Sequence, residues 1–450
     1  MRSAVALTHL ALFATSVQAF YPFTPKWLKA KLEKESKEAR RSIEEIHGTE
    51  GVSFAIKQRD GQVRLPSRPR RTLEDHIMLT ELQAGSASPK QIAREAARLA
   101  RKYERRQTTN DELSDLARRE NRYDILEAVD TDEENATGVD QDGTDYSYFV
   151  EVKLGSSGKE LHMLIDTGAG STWVMGSSCT TEACSLHESF GPDDSDTFED
   201  TGEEFTITYG SGRVNGTLAK DTVSVAGMEL EYKFGVASAT SDDFVNFAFD
   251  GILGLSMNDG ANDNFLQSIK DAGLVDTSMF GVSLHRASDG TNDGEIKFGG
   301  TNSDKYEGEI SYTSTNRDNG DWAIEIEDMA YDGKKAGVGG VSAYIDTGTT
   351  FMFGPKNLVE KIHSVIPDAN SADGMSYKVP CDSSAPLTFT FSGVDYELSS
   401  KDWISPKNDA GECVSNIYGQ EVVQGSWLLG AAFIKNVYTV FDADKKRIGE

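Results

Sequence analysis

The tripeptide Asp-Thr-Gly occurs twice in this chain, as Asp166-Thr167-Gly168 and Asp346-Thr347-Gly348. Each copy follows an apolar run, residues 161–165 and 341–345. Each is trailed by small hydroxyl residues, Ser171 and Thr172 after the first and Thr349 and Thr350 after the second. The copies lie 180 residues apart, roughly one domain's length. A strand that delivers a carboxylate into a Gly turn, once per half, predicts two aspartates facing each other across a two-fold arrangement. Two carboxyl groups at hydrogen-bonding distance do not both ionise cheaply, so they share one proton. The ionised member can take a proton from water while the protonated member donates to a carbonyl oxygen. The threonines supply hydroxyls to lock the two loops together. Gly168 and Gly348 permit positive φ and let backbone N–H groups approach the carboxylates. A single Asp-Thr-Gly is as readily an ordinary turn. The repeat in matched apolar settings favours the chemistry.

Further segments fall in a fixed order around the two copies. Trp173-Val174 follows the first, then Ile207-Thr208-Tyr209-Gly210-Ser211-Gly212 and Phe249-Asp250-Gly251-Ile252-Leu253-Gly254-Leu255. Trp427-Leu428-Leu429-Gly430-Ala431-Ala432-Phe433 follows the second, ahead of Tyr438-Thr439-Val440-Phe441-Asp442. Singly, Tyr209 with its glycines reads as a hairpin turn, and Trp173 and Phe249 read as core aromatics. Taken together, residues 145–450 resemble the pepsin-like aspartic proteases, in particular the secreted fungal-type endopeptidases. The resemblance implies an all-β, bilobal fold with two pseudo-two-fold-related, β-barrel-like lobes and a cleft between them. It implies catalytic Asp166 and Asp346, supported by Thr167, Gly168, Thr347, Gly348 and Thr349. It also implies a substrate-covering flap with Tyr209, Gly210 and Ser211, the tyrosine hydrogen-bonded to Trp173. No cofactor and no metal are implied.

Two departures from the family pattern stand out. Ala169 occupies the position after the first Asp-Thr-Gly where the family usually carries Ser, whereas Thr349 keeps a hydroxyl in the second loop. Those hydroxyls hydrogen-bond the outer carboxylate oxygens in the family and favour the charged form. Asp166 is therefore expected to ionise less readily, with a less acid-shifted pH optimum. The second departure is Arg213 on the flap, where a small or polar residue is usual; an exposed Arg there is equally a solvated side chain.

The four cysteines fit an oxidising compartment. By themselves they leave three pairings open, and free buried thiols as well. The spacing lacks Cys-x-x-Cys, which counts against a metal site. The family's common bridges correspond to Cys179–Cys184 and Cys381–Cys413. The sequons at Asn135 and Asn215 are candidate glycosylation sites.

Over its 450 residues the chain has a formal net charge of −28, and the charge is unevenly distributed. Residues 20–106 hold 20 basic and 12 acidic side chains, whereas residues 107–450 hold 24 basic and 61 acidic. A basic leader ahead of a strongly acidic body suggests an intramolecular clamp, with a charged but non-inhibitory helical leader as the plainer reading. The acidic body would repel phosphate, which argues against nucleic acid as a partner. Residues 1–19 read as a secretory signal, with Arg2, a short apolar core and a Val17-Gln18-Ala19 cleavage site. That run is far below the ~20 residues that span a bilayer, and residues 445–450 carry no lipid-anchor signal. Secretion is expected, with a vacuolar location as the lesser possibility.

The organisation that follows is a signal over residues 1–19, a propeptide over 20–119 and lobes over 145–312 and 313–450. Helices are predicted at residues 26–46 and from Ser88-Pro89 to about 105, with processing near Arg106 or Arg119. Within the body, alternating strands are predicted at residues 149–154, 205–209, 222–225, 295–298, 322–326, 387–391 and 437–441. The clearest helices fall at 264–272 and 356–365. The expected partners are protein or peptide substrates and the chain's own propeptide as inhibitor, with a monomeric body. The rival from another class is a catalytically inactive pepsin-like binding or inhibitor protein, but such relatives usually lose an aspartate or the flap tyrosine, and all three residues are present. Neither G-x-S-x-G nor H-E-x-x-H occurs, so the serine and zinc hydrolase alternatives lack support.

Overall fold

Strand β3 (Tyr148–Leu154) shows how this sequence makes sheet: Val150, Val152 and Leu154 point inward while Glu151 and Lys153 face solvent. The structure, a computed structural model, describes Tyr123 and residues 125–209, 212–317, 320–408 and 410–450. The expected signal, propeptide helices and processing sites at Arg106 and Arg119 lie outside the described residues, as do Gly210 and Ser211.

Twenty-five strands and a few short helices make up the described body, an all-β, bilobal fold. The first half holds β1 (Ala136–Gly138), β2 (Asp140–Gln141), β3, β4 (Lys159–Asp166), β5 (Trp173–Met175), β6 (Glu199–Tyr209), β7 (Gly212–Val225), β8 (Met228–Thr240) and β9 (Gly251–Gly254). Strands β2 to β9 form one eight-stranded sheet in the order β2-β3-β4-β9-β5-β8-β7-β6. Next come β10 (Met279–Ser283), β11 (Glu295–Phe298) and β12 (Tyr312–Ser314). The second half holds β13 (Ala323–Ile326), β14 (Asp328–Tyr331), β15 (Lys334–Lys335), β16 (Val341–Ile345), β17 (Met352–Phe353), β18 (Lys378–Val379), β19 (Leu387–Phe391) and β20 (Val394–Leu398). It continues with β21 (Cys413–Val414), β22 (Ile417–Tyr418), β23 (Trp427–Leu429), β24 (Thr439–Asp442) and β25 (Arg447–Gly449). A six-stranded sheet, β1-β11-β10-β24-β25-β12, draws strands from both halves and joins them.

Strands β1 and β2 precede Asp145, and Leu126 and Ala128 already bridge to Gln141 and Asn292. The paired body therefore extends upstream of residue 145. The predicted strands at 205–209 and 222–225 are the ends of the much longer β6 and β7, while β8 was not predicted. The sequence pattern is diluted there because polar residues fill the solvent face of a long meander: β6 carries Glu199, Asp200, Glu203 and Glu204 outward or at its bulge. The β7–β8 reversal places Ala226 and Gly227 at φ 53° and 74°. Two successive positive-φ residues match the twist of a two-residue hairpin. Helices α2 (Phe265–Asp271) and α3 (Lys356–Val365) follow α1 (Glu182–Leu186) and coincide with the predicted pair; Asn264 caps α2 by accepting from Gln267 N–H.

The halves are tied by packing and by charge. Phe280 on β10 stacks on Phe441 of β24 with ring centroids 4.8 Å apart, and Trp322 meets Phe441 edge-on at 5.1 Å. Lys435, its side chain 5% exposed, bridges Asp145 at 2.9 Å and the fully buried Asp402 at 3.0 Å; Asp402 also takes a two-pronged contact from Arg286. Each buried charge is thus matched, as burial requires.

The structure contains disulfides Cys179–Cys184 and Cys381–Cys413, with sequence separations of 5 and 32. Closing the longer loop restricts the unfolded chain more, with a stabilisation of about 2–4 kcal/mol. Replacing Cys381 and Cys413 together by Ala is expected to lower Tm in calorimetry by ~2–4 °C per kcal/mol lost, and by more than replacing Cys179 and Cys184. Equal or smaller loss from the longer loop contradicts this.

Candidate active site

Asp166 ends β4 and Asp346 directly follows β16. The two settings have the same construction. Strand β4 runs parallel to β9, which pairs antiparallel with β5; strand β16 runs parallel to β23, which pairs antiparallel with β17. Each aspartate is thus delivered at the end of a strand gripped by an apolar strand from later in its own half. Leu255 N–H donates to Asp166 O at 2.8 Å, and Asp346 N–H donates to Leu429 O at 3.0 Å.

The threonines lock the loops reciprocally. Thr167 N–H donates to Thr347 Oγ1 at 3.1 Å, and Thr347 N–H donates to Thr167 Oγ1 at 3.1 Å. Thr167 Oγ1–H donates to Ile345 O at 3.0 Å, and Thr347 Oγ1–H to Ile165 O at 2.7 Å. All four partners are buried, so every bond is protected from water and costly to leave unmade. The glycines serve by approach alone: neither Gly168 nor Gly348 uses the positive φ that glycine permits. A Cβ on Gly348 would lie 2.5 Å from Asp166 Cγ, and Gly168 N–H donates to Asp166 Oδ1 at 2.9 Å and Asp346 Oδ1 at 3.2 Å. No larger residue leaves room for that carboxyl.

Asp166 and Asp346 are 0% and 1% exposed and hydrogen-bond to each other. Their environments differ. Asp346 Oδ1 accepts from Gly348 N–H at 3.0 Å, and its Oδ2 accepts from Thr349 Oγ1–H at 2.6 Å. No described residue donates to Asp166 Oδ2, and Ala169 beside it is fully buried and has no hydroxyl to offer. Burial pushes both carboxyls up. The donors around Asp346 hold it to about 6. Asp166 is driven well above the usual range by burial and then by the charge of Asp346. The outer donor that Asp346 has and Asp166 lacks favours the shared proton on Asp166 and the charge on Asp346.

The aromatic wall beside the dyad is also built from buried groups. Trp173 Nε1–H donates to Tyr209 OH at 2.6 Å, and burial pushes the phenol well up and keeps it protonated. Phe244 packs edge-on against both rings, at 5.4 Å from Trp173 and 6.3 Å from Tyr209. Sequence reasoning missed Phe244, which lies in a short 3₁₀ turn with no motif around it. Arg213 is exposed on β7 opposite Thr208. Asn135 is half-buried at φ 57°, just ahead of β1, and Asn215 is half-buried on β7 between Thr206 and Ala239.

The raised dyad couples the fold to pH. An Asp with a folded value of about 6 against the usual 3.8 contributes stability that is complete below about 4 and lost as pH rises through about 6. Asp166, shifted in the same direction, extends that loss upward. Melting curves from pH 4 to 7 are expected to show Asp346→Asn gaining on wild type as pH rises. A difference that stays constant with pH refutes this.

The comparisons with known proteins agree with the geometry. The sequence model of the family described as eukaryotic aspartyl protease matches residues 147–450. The chain is 41% identical over 336 residues to a protein named probable aspartic-type endopeptidase CTSD from Trichophyton verrucosum (strain HKI 0517), covering 74% of this chain and 66% of that protein. It is 37% identical over 337 residues to aspartic-type endopeptidase ctsD of Aspergillus fumigatus, covering 74% and 71%. To pepsin A of Sus scrofa it is 34% identical over 317 residues, covering 68% and 81%. The chain thus spans just under two thirds of the length of the first of these relatives. On the family model and these identities, the chain belongs to the eukaryotic aspartyl protease family.

Proposed function

We propose that this chain is an aspartic endopeptidase in which Asp166 and Asp346 activate a water molecule for attack on a peptide bond. The buried, mutually hydrogen-bonded carboxyl pair on matched loops is the observation that supports this most directly. Asp346 takes a proton from water as the water oxygen bonds to the scissile carbonyl carbon, while Asp166 gives its proton to the carbonyl oxygen. The product is a gem-diol intermediate with no covalent link to the protein. Asp346 then passes its proton to the amide nitrogen as the C–N bond breaks, and Asp166 recovers a proton from a gem-diol hydroxyl. Thr167 and Thr347 hold the loops, Gly168 and Gly348 admit the carboxyls, and Thr349 stabilises the charge on Asp346.

Tyr209 and Trp173, together with Gly210 and Ser211, are proposed to cover the bound peptide and exclude water. Apolar residues on either side of the scissile bond are the proposed preference. The basic leader over residues 20–119, set against the acidic body, supports synthesis as a precursor inhibited by its own propeptide and processed near Arg106 or Arg119. The signal-like residues 1–19 and the two disulfides support secretion, with glycans proposed at Asn135 and Asn215. Among the described residues no helix is long and apolar enough to cross a membrane.

Two measurements test the dyad. Asp166→Asn and Asp346→Asn are each expected to lower kcat on a peptide substrate by at least ~10²–10⁴-fold, the range for a lost acid or base. Wild-type turnover by either variant overturns the reading. Ala169→Ser supplies the donor that Asp166 Oδ2 lacks and so eases its ionisation. Both limbs of the kcat/KM profile are expected to move to lower pH, and an acidic limb that stays in place refutes the proposed asymmetry.

A further inference from the structure

The backbones that carry Asp166 and Asp346 are also joined by a path outside the Asp-Thr-Gly loops. Leu255 N–H donates to Asp166 O at 2.8 Å. The carbonyl of that same Leu255 accepts from the indole Nε1–H of Trp322 at 2.9 Å. Trp322 O in turn accepts from Ile345 N–H at 2.9 Å, and Ile345 is bonded to Asp346. Trp322 is 2% exposed, with its ring fixed edge-on between Phe280 at 6.2 Å and Phe441 at 5.1 Å. One residue thus links, through its indole and its main-chain carbonyl, the strand end behind the first aspartate to the strand end behind the second.

A second strut lies beside it. Asn258 Nδ2–H donates to Asp321 Oδ1 at 3.1 Å, and Asp321 also accepts from Tyr344 on β16. Asn258 belongs to the loop after β9 that packs under the first aspartate's turn: a Cβ on Gly170 would lie 2.6 Å from Asn258 O. Ser256 N–H donates to Ala169 O at 3.0 Å, Asn258 N–H donates to Ser256 Oγ at 3.1 Å, and Asn264 Nδ2–H donates to Ser256 O and Asn258 O. The loop is therefore held from within and has one side chain reaching across to the other lobe. Gly320, at φ +79°, leaves room for Asn258 Oδ1, which would sit 2.3 Å from a Cβ there.

We propose that Trp322 and the Asn258–Asp321 pair are positioning residues that fix the separation and tilt of the two aspartates. This rests on the dyad reading above. The threonine contacts clamp the turn tips, whereas these two struts set the strands behind them. Catalysis that depends on two carboxyls facing one water is sensitive to such spacing, with a ~1 Å displacement costing ~10²-fold.

The test uses the full chain, processed to the active form. Trp322→Phe keeps an aromatic ring for the Phe280–Phe441 packing and removes the N–H donor together with the five-membered ring that carries it. Asn258→Asp sets a carboxylate against Asp321, Asp321→Asn keeps an acceptor for Asn258 and Tyr344, and the double variant Asn258→Asp with Asp321→Asn restores the bond with its direction reversed. Trp322→Phe and Asn258→Asp are expected to lower kcat about tenfold or more with KM within about threefold, the pattern of a lost transition-state interaction. Affinity for a statine-type transition-state mimic falls in parallel with kcat/KM. Asp321→Asn and the double variant are expected within about threefold of wild type. Unchanged kcat in the first two, an effect on KM alone, or a double variant no better than Asn258→Asp overturns the proposal. If Trp322→Phe does not fold, the swap at residues 258 and 321 decides by itself. An inactive wild type overturns the dyad reading and the brace with it, whereas an active wild type with unchanged variants overturns the brace alone.

Discussion

Two carboxyl groups buried side by side are a standing liability, because the second ionisation has neither water nor distance to relieve it. Much of the surrounding structure answers that constraint. Each aspartate ends a strand gripped by an apolar strand of its own half, each turn presents a glycine amide to the carboxyls, and the threonines bond crosswise so that neither turn can retreat. The two-fold construction is itself a consequence, since facing two carboxyls symmetrically calls for two similar strand ends meeting tip to tip. The price of that arrangement is stability at neutral pH, which the dyad erodes as it loses its proton.

Symmetry in the backbone does not extend to the chemistry. Thr349 gives Asp346 an outer donor at 2.6 Å, while the matching place beside Asp166 is taken by Ala169. One hydroxyl more or less biases which carboxyl carries the charge, because both share the same burial and the same neighbour. In the proposed mechanism the roles of acid and base follow from that bias without any difference in fold. The flap wall adds to the same bias: Tyr209 stays a neutral phenol bonded to Trp173, so it brings no second charge near Asp166.

Much of the site was legible in the sequence because the chemistry is local there. Asp, Thr and Gly stand in one tripeptide, and Thr349 and Ala169 lie at equivalent offsets from the two copies. The apolar Gly-containing segments after residues 249 and 427 marked the supporting strands. Helices α2 and α3 were legible from periodicity and, for α2, from the Asn264 cap. The glycines do not use the positive φ they permit, and the constraint at Gly348 is the 2.5 Å between a Cβ and a carboxyl carbon that arrives from 182 residues away in the chain. Strand β8 was missed although its first half alternates as β3 does, with Met228, Leu230 and Tyr232 buried and Glu229 and Glu231 exposed. Phe244, Trp322 and Asn258 owe their places to partners distant in the chain, and no spacing rule points to a residue of that kind.

Neutron diffraction from deuterium-exchanged crystals at weakly acidic pH reads the central claim most directly, because it locates the shared proton. The account requires deuterium density on a carboxyl oxygen of Asp166, with Asp346 ionised and accepting from Thr349 Oγ1. Density on Asp346 with Asp166 ionised, or two ionised carboxylates at that pH, would contradict it.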